Sequence, residues 1–542
     1  MAPGVTKSFY KAFISNLSKF LRFQGVTDFD GKKFMNDFTR STGIRIPLNV
    51  SNETRDALMV IGNRLASIFG EGFVTQEDLA KVHVISVQDT DRLTYQAMEA
   101  LVHNLNTLHS RCGSQVPFSS LNYGTDTSPE GRMVIRNLLK ATYAGLGHGE
   151  TPIFPIHIFK VKEGVNYNHG DPNYDLFQYA MEVSAKRLFP NFSFLDAPFN
   201  KAYYKPGRPE TETTYMGCRT RVIGNVYDPT REVVTGRGNL SFTSINLPRL
   251  GIEARNDETK FYELLDHYLE LVADQLLHRL AIQSKKKVKN FPFLMGQGNW
   301  IDSENLKPDD TIEEVLKHGT LSIGFIGLAE TLVALYGHHH GESDEMQEKG
   351  LAIVKHMREF VDNKSKQYKL NFTLLATPAE GLSGRFVRMD KQRYGVIPGV
   401  TDKDWYTNSN HIPVEFKISA YDKIQKEAPY HAYTNAGHIC YCEMDGDTTK
   451  NLDAFESLVR CMHDSGIGYG SINHPVDRCP ICGWTGVIDN VCPSCHADER
   501  TGAVKFERIR RITGYLVGTL DRFNDAKRAE EAHRVKHSIS KF

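Results

Sequence analysis

Two Cys-x-x-Cys pairs stand nine residues apart near the end of this 542-residue chain, Cys479-Pro480-Ile481-Cys482 and Cys492-Pro493-Ser494-Cys495. Each pair sets two thiolates on one turn. Two such turns complete the tetrahedron of soft ligands that Zn²⁺ prefers. A closed four-cysteine site leaves no position for water, so a structural zinc is expected rather than a catalytic one. The intervening segment 483–491 contains no Lys or Arg. That weighs against a nucleic-acid-binding ribbon. His496, directly after the last cysteine, reads as a bystander.

The rest of the chain, residues 1–470 and 501–542, must build its own core. Lys+Arg and Asp+Glu are both 65, so no direct nucleic-acid partner is expected. No apolar run approaches the roughly 18 residues of a membrane helix. The start, Met1-Ala2-Pro3-Gly4, lacks a signal-peptide core, so the reading is cytoplasmic with no membrane partner. Nine cysteines in such a chain do not suggest a disulfide framework.

Residues 92–110 have helical spacing of apolar side chains, and 115–118 read as a short strand. Residues 152–161 read as a buried strand and 261–280 as an amphipathic helix. Thr311-Ile312-Glu313-Glu314 fits a capping box that opens a helix. Strands and helices in alternation give an α/β class. Cys440 and Cys442 alternate along a strand and read as fillers. Cys461 reads as helix packing, and His338-His339-His340 as a loop.

Nineteen residues after Cys495 comes Gly514, within Arg511-Ile512-Thr513-Gly514-Tyr515. A glycine Cα–H is weak because the carbon radical is shared with the amide nitrogen and the carbonyl. With no Cβ, the centre can flatten. Taken alone, Gly514 is more often an ordinary turn residue.

The whole pattern resembles the anaerobic (class III) ribonucleoside-triphosphate reductases. The likeness is carried by the knuckles, by Arg511–Tyr515, and by the tail Arg522-Phe523-Asn524…Lys527…Glu531…Arg534-Val535-Lys536-His537. Further support comes from Tyr215-Met216-Gly217-Cys218-Arg219-Thr220, Gly236-Arg237-Gly238-Asn239-Leu240, and the stretches 103–128, 145–168, 374–386, 429–439 and 468–476. It covers roughly 92–542.

The resemblance implies a ten-stranded α/β barrel of the glycyl radical enzyme type, with a C-terminal zinc ribbon and a glycyl radical loop. The expected divisions are an N-terminal segment 1–91, a catalytic barrel 92–470, a Cys₄ region 471–500 and a radical loop with tail 501–542. It implies anaerobic reduction of ribonucleoside triphosphates to deoxyribonucleotides with formate as reductant. Gly514 would store the radical and Cys218 would become the thiyl radical. Asn239 would hold a substrate hydroxyl or formate. Met216 would place a thioether beside Cys218, on the same face of a strand. Thr220 would sit beside the substrate, where some other ribonucleotide reductases carry a glutamate. A separate activase with a 4Fe-4S cluster and S-adenosylmethionine would install the radical, and a homodimer is expected. Effector scheme and nucleotide preference stay open.

Two other readings stand beside this one. A formate-lyase-type glycyl radical enzyme would carry adjacent active-site cysteines, and the chain has no Cys-Cys pair. An inactive zinc-containing fragment would keep the knuckles without needing Gly514, Cys218 and Asn239 at one site. Family members usually carry a longer N-terminal portion with a further active-site cysteine. The segment after Met1 resembles one well inside such a chain. The expectation is therefore either the C-terminal product of a split gene or a truncated chain, whose intact barrel would need an N-terminal partner polypeptide, with Cys112 as the candidate stand-in cysteine.

Overall fold

The computed structural model describes residues 1–108 and 116–537. Cys112 lies outside them. The chain divides into two compact units. The first comprises 1–117, 123–152 and 164–179, and the second 118–122, 153–163 and 180–542.

The first unit is helical. In the helix Ala2–Phe23, Phe9, Phe13, Leu17 and Leu21 recur every fourth residue and are buried. That spacing stacks them on one face. They pack against the helix Gln76–Thr107, with Phe9 edge-on to His83. This long helix opens on a reciprocal cap between Thr75 and Asp78. The pattern at 92–110 is thus the second half of a longer helix. Its buried face carries Ser86, Thr90 and Thr94 through the middle, each bonded to the carbonyl four residues back. A polar buried face gives no apolar period, which is why the sequence shows only the later part.

In the second unit the strands run in chain order as β1 (Ser120–Tyr123), β2 (Ile156–Val161), β3 (Asn191–Phe194), β4 (Tyr215–Met216), β5 (Thr220–Arg221), β6 (Asn239–Asn246), β7 (Thr320–Ile326), β8 (Asn371–Ala376), β9 (Cys440–Glu443), β10 (Tyr469–Asn473), β11 (Val476–Arg478), β12 (Thr485–Gly486), β13 (Glu507–Arg511) and β14 (Leu516–Val517). One sheet has the order β1-β2-β3-β10-β9 and another β6-β7-β8. The second is wholly parallel. Every residue of β7 and β8 is buried, as expected for parallel strands covered on both faces. The helix Glu258–Ser284 covers the sheet through Leu265, Leu269 and Leu276, and Asp344–Tyr368 adds Val354, Met357 and Val361.

The hairpin β4–β5 joins these two sheets. On one side Asn122 of β1 brackets Tyr215, accepting from its N–H at 3.1 Å and donating to its carbonyl at 2.9 Å. On the other side the Arg221 N–H donates to Ala436, and Ala436 and Gly437 pair with β8. Gly437 has φ +138°, and a Cβ there would lie 2.1 Å from the Arg219 carbonyl oxygen. Only glycine lets the three backbones meet.

The α/β class is as expected. Among the described residues the barrel sheets hold five and three strands, bridged by this hairpin. Three local expectations change. No strand covers 116–118; β1 starts at Ser120. The buried strand begins at Ile156, after Pro155. The helix at 313 is a single turn, Glu313–Leu316, with no side-chain cap. Thr311 is instead tied to Lys287 in an isolated bridge. No helix of the described residues is long and apolar enough to cross a membrane.

Candidate active site

Two hairpins meet tip to tip. In the first, Tyr215 and Met216 pair with Arg221 and Thr220, leaving Gly217, Cys218 and Arg219 at the turn. In the second, Arg511 pairs with Leu516, and the Ile512 N–H and Tyr515 carbonyl close the turn at 2.9 Å. Thr513 and Gly514 form its tip. A Cβ built on Gly514 would fall 2.4 Å from Cys218 Cα and 2.6 Å from Cys218 Cβ. Real side chains do not tolerate such contacts. One Gly514 Hα therefore points straight at Cys218.

Cys218 is 7% exposed. Burial, then the negative charge of Glu380, pushes its thiol up to about 11. The group is a protonated S–H at neutral pH, the form needed to give up a hydrogen atom. Thr513 Oγ1 lies 3.8 Å from the Cys218 sulfur and 2.9 Å from a Glu380 carboxylate oxygen. The Tyr515 hydroxyl stands beside the same hairpin tip, 3.1 Å from where a Cβ on Gly217 would lie. The Tyr515 ring is gripped edge-on by Phe118, at 5.3 Å between centroids.

Buried cations hold the Gly514 turn. Arg511 donates to the Gly514 carbonyl at 3.1 Å and to Asn473 at 2.8 Å. Arg219, next to the thiol, donates to the Thr513 carbonyl at 3.3 Å and to Ser409 at 3.4 Å. Its Nη1 stands 3.2 Å from His411 Nε2. Burial lowers the His411 pKa, so that imidazole is neutral and accepts.

The sequence match decides the family question. Residues 5–537 match the family described as anaerobic ribonucleoside-triphosphate reductase. The chain belongs to that family. It is 38% identical to the anaerobic ribonucleoside-triphosphate reductase of Salmonella typhimurium over 83% of this chain, and 37% identical to that of Escherichia coli over 82%. It spans 62% of the length of each. The enterobacteria phage T4 reductase is 36% identical over 83% of this chain and 72% of its own. Among solved structures, an anaerobic ribonucleotide reductase superposes with TM-score 0.61 at 17% identity, over 91% of this chain and 77% of the other. A glycyl radical enzyme from Archaeoglobus fulgidus superposes with TM-score 0.53 at 10% identity, over 99% and 80%. These two show the shared fold.

The two Cys-x-x-Cys turns also come together. The sulfurs of Cys479, Cys482, Cys492 and Cys495 lie within 4.8 Å of one another, with Cys479–Cys495 at 3.6 Å and Cys482–Cys492 at 3.7 Å. Four thiolates at about 2.3 Å from one ion would stand about 3.8 Å apart, so the cluster fits zinc. The two turns are alike. Gly483 donates back to Cys479 and His496 to Cys492, both with positive φ. His496 thus shapes its knuckle through the backbone. Ile488 and Phe506 pack beneath.

Met216 and Thr220 lie on the hairpin that carries Cys218, and Asn239 lies on β6. Met216 faces Thr220 across the hairpin. Cys218 lies in the turn beyond, not on a strand, because Gly217 at φ +56° breaks the alternation. The shared strand face expected for Met216 and Cys218 is therefore absent. Asn239 opens β6 and donates to Thr320 at 3.1 Å and to Ser322. Ser322 continues to Thr373 at 2.9 Å. This hydroxyl row on the sheet went unread in the sequence. Cys440 and Cys442 are buried in β9, and Cys461 lies in the helix Leu452–Asp464. His340 is buried against the Asn410 carbonyl at 3.0 Å, and His338 bonds Glu342. Sequence reasoning missed Thr513, Tyr515 and Glu380 as neighbours of the thiol, although all three lie inside the motifs that carry the resemblance.

Proposed function

We propose that this chain is the catalytic part of an anaerobic ribonucleoside-triphosphate reductase, with Gly514 and Cys218 as its radical pair. The observation that carries the reading is the Gly514 Hα aimed at Cys218. A buried, protonated thiol beside a radical-stabilising glycine has one obvious exchange. The S–H bond breaks, a Gly514 Cα–H bond forms, and the unpaired electron passes to sulfur. The Cys218 thiyl then takes the 3′-hydrogen of a ribonucleoside triphosphate. The 2′-hydroxyl leaves as water. Formate supplies two electrons and leaves as CO₂, after which the 3′-hydrogen returns and Cys218 is a thiyl again. Burial of the pair keeps solvent from quenching the intermediates.

Asn239, anchored on Thr320, is suited to hold a substrate hydroxyl or formate, with Met216 and Thr220 on the hairpin that carries the thiol. A separate S-adenosylmethionine-dependent activase with a 4Fe-4S cluster would generate the radical in the cytoplasm, and a homodimer is the expected assembly. The knuckles would hold one structural Zn²⁺ under the Gly514 hairpin. Anaerobic incubation of the activated chain with ribonucleoside triphosphates and formate tests this. Deoxyribonucleotide formation that needs formate and is lost in Cys218→Ser supports it. Product from the Cys218→Ser variant would overturn the assignment of the thiol.

A further inference from the structure

We propose that Arg511 and Arg219 set how the Gly514 radical is shared, by pulling in opposite senses on the two peptide groups that flank its carbon. The proposal rests on the radical-pair reading above and adds what tunes the radical.

Both guanidiniums are buried, Arg511 at 2% exposure and Arg219 at none. Among the described residues neither hydrogen-bonds a carboxylate. Arg511 donates to the Gly514 carbonyl at 3.1 Å, to Asn473 at 2.8 Å and to the Leu188 carbonyl, with the Phe189 ring 4.9 Å away. Arg219 donates to the Thr513 carbonyl at 3.3 Å, to Ser409 and the Ala376 carbonyl at 3.4 Å, and to His411 Nε2 at 3.2 Å. His411 gives its Nδ1–H to Glu427 at 3.3 Å, which leaves Nε2 as a lone-pair acceptor. Burying a cation with only neutral partners is costly. Each of these two spends part of its field on a carbonyl next to the Gly514 Cα.

The unpaired electron on that carbon is shared with the Gly514 nitrogen and the Gly514 carbonyl. Sharing is widest when the nitrogen gives electron density and the carbonyl oxygen takes it. Arg511 stands at that oxygen, so it favours the form with negative charge on oxygen and spin on nitrogen. Arg219 stands at the Thr513 carbonyl, which competes for the same nitrogen lone pair. It therefore draws density away from the radical carbon. Charge-assisted bonds in a dry site make both pulls strong. They meet at one atom, the Gly514 nitrogen. Arg219 also follows Cys218 directly, so the thiol hairpin itself brings the opposing charge to the radical loop.

The full chain, grown with ¹⁵N-glycine and activated anaerobically, tests this by electron–nuclear double resonance. Arg511→Gln should give a smaller ¹⁵N coupling of Gly514 than wild type, and Arg219→Gln a larger one. A merely loosened loop would shift both the same way. Wild-type protein labelled instead with ¹⁵N in the arginine guanidinium groups should show weak couplings to nitrogens beside the radical. Unshifted couplings, or shifts of the same sign, in the two variants would overturn the proposal. If either variant takes up no radical, the wild-type arginine couplings decide, and their absence overturns it. Wild-type protein that forms no radical would instead overturn the functional reading, and this proposal with it.

Discussion

Arg534 donates to the carbonyl of Arg511 at 2.9 Å and to that of Ile512 at 3.2 Å, the residues that lead into the Gly514 turn. The same guanidinium bonds Glu530 at 3.1 Å and faces Glu443 at 3.8 Å. The C-terminal tail is therefore a clamp on the glycine hairpin. Arg534→Ala would leave two buried carboxylates short of their cation. Removing one partner of such a cluster costs about 3–5 kcal/mol. Limited proteolysis should cut the variant within 511–517 at enzyme levels that spare the wild type. Equal protection of both would show that the tail does not hold the loop.

Gly514→Ala places a methyl 2.4 Å from a backbone carbon, which a side-chain rotation cannot relieve. Overpacking of this kind costs about 1–3 kcal/mol. The variant should melt at a lower temperature than wild type. An unchanged melting curve would mean that the hairpin tips do not touch in solution.

The Cys218 thiol is raised from its ordinary 9.0 to about 11, by burial first and the Glu380 charge second. A raised folded-state value means that the thiol's contribution is complete below about pH 9 and is lost as pH climbs through about 11. A difference of that size corresponds to about 2–3 kcal/mol at most. Wild-type protein should therefore lose stability relative to Cys218→Ser between those limits, read by denaturant titration at each pH. Parallel curves would mean that the thiol is neither buried nor held protonated.

Metal analysis should find one Zn²⁺ per chain. Cys479→Ser should lose it and loosen the small cluster of Ile488 and Phe506, because a ligand set of this kind folds with its metal. Hydrogen exchange across 479–506 reads the loosening. Full zinc retention with four serines in place of the cysteines would contradict the site.

The parts legible in the sequence are those where a few covalent spacings dictate geometry. Two Cys-x-x-Cys turns can close on one ion whatever the surrounding fold, and a glycine in Arg511–Tyr515 advertises itself by its neighbours. The meeting of Gly514 with Cys218 joins residues nearly 300 apart, 514 against 218, and came only through family resemblance. Glu380 and Arg534 have roles set by contacts between distant parts of the chain, which no local spacing reveals. In the helical unit the signal failed for a different reason. The buried face of Gln76–Thr107 carries Ser86, Thr90 and Thr94, whose hydroxyls are satisfied by their own helix. A buried polar stripe reads in sequence like a solvated one. Thr311 failed because a β-bridge to Lys287 claimed the residue that the capping box needed.

The radical pair is tested most directly by locating the unpaired electron. After anaerobic activation with a family activase and S-adenosylmethionine, electron paramagnetic resonance of the chain should show a doublet from the single hydrogen left on the Gly514 Cα. Protein grown with Cα-deuterated glycine should collapse that doublet, and Gly514→Ala should give no signal. A doublet that survives deuteration, or that persists in Gly514→Ala, would contradict the assignment of Gly514 as the radical site.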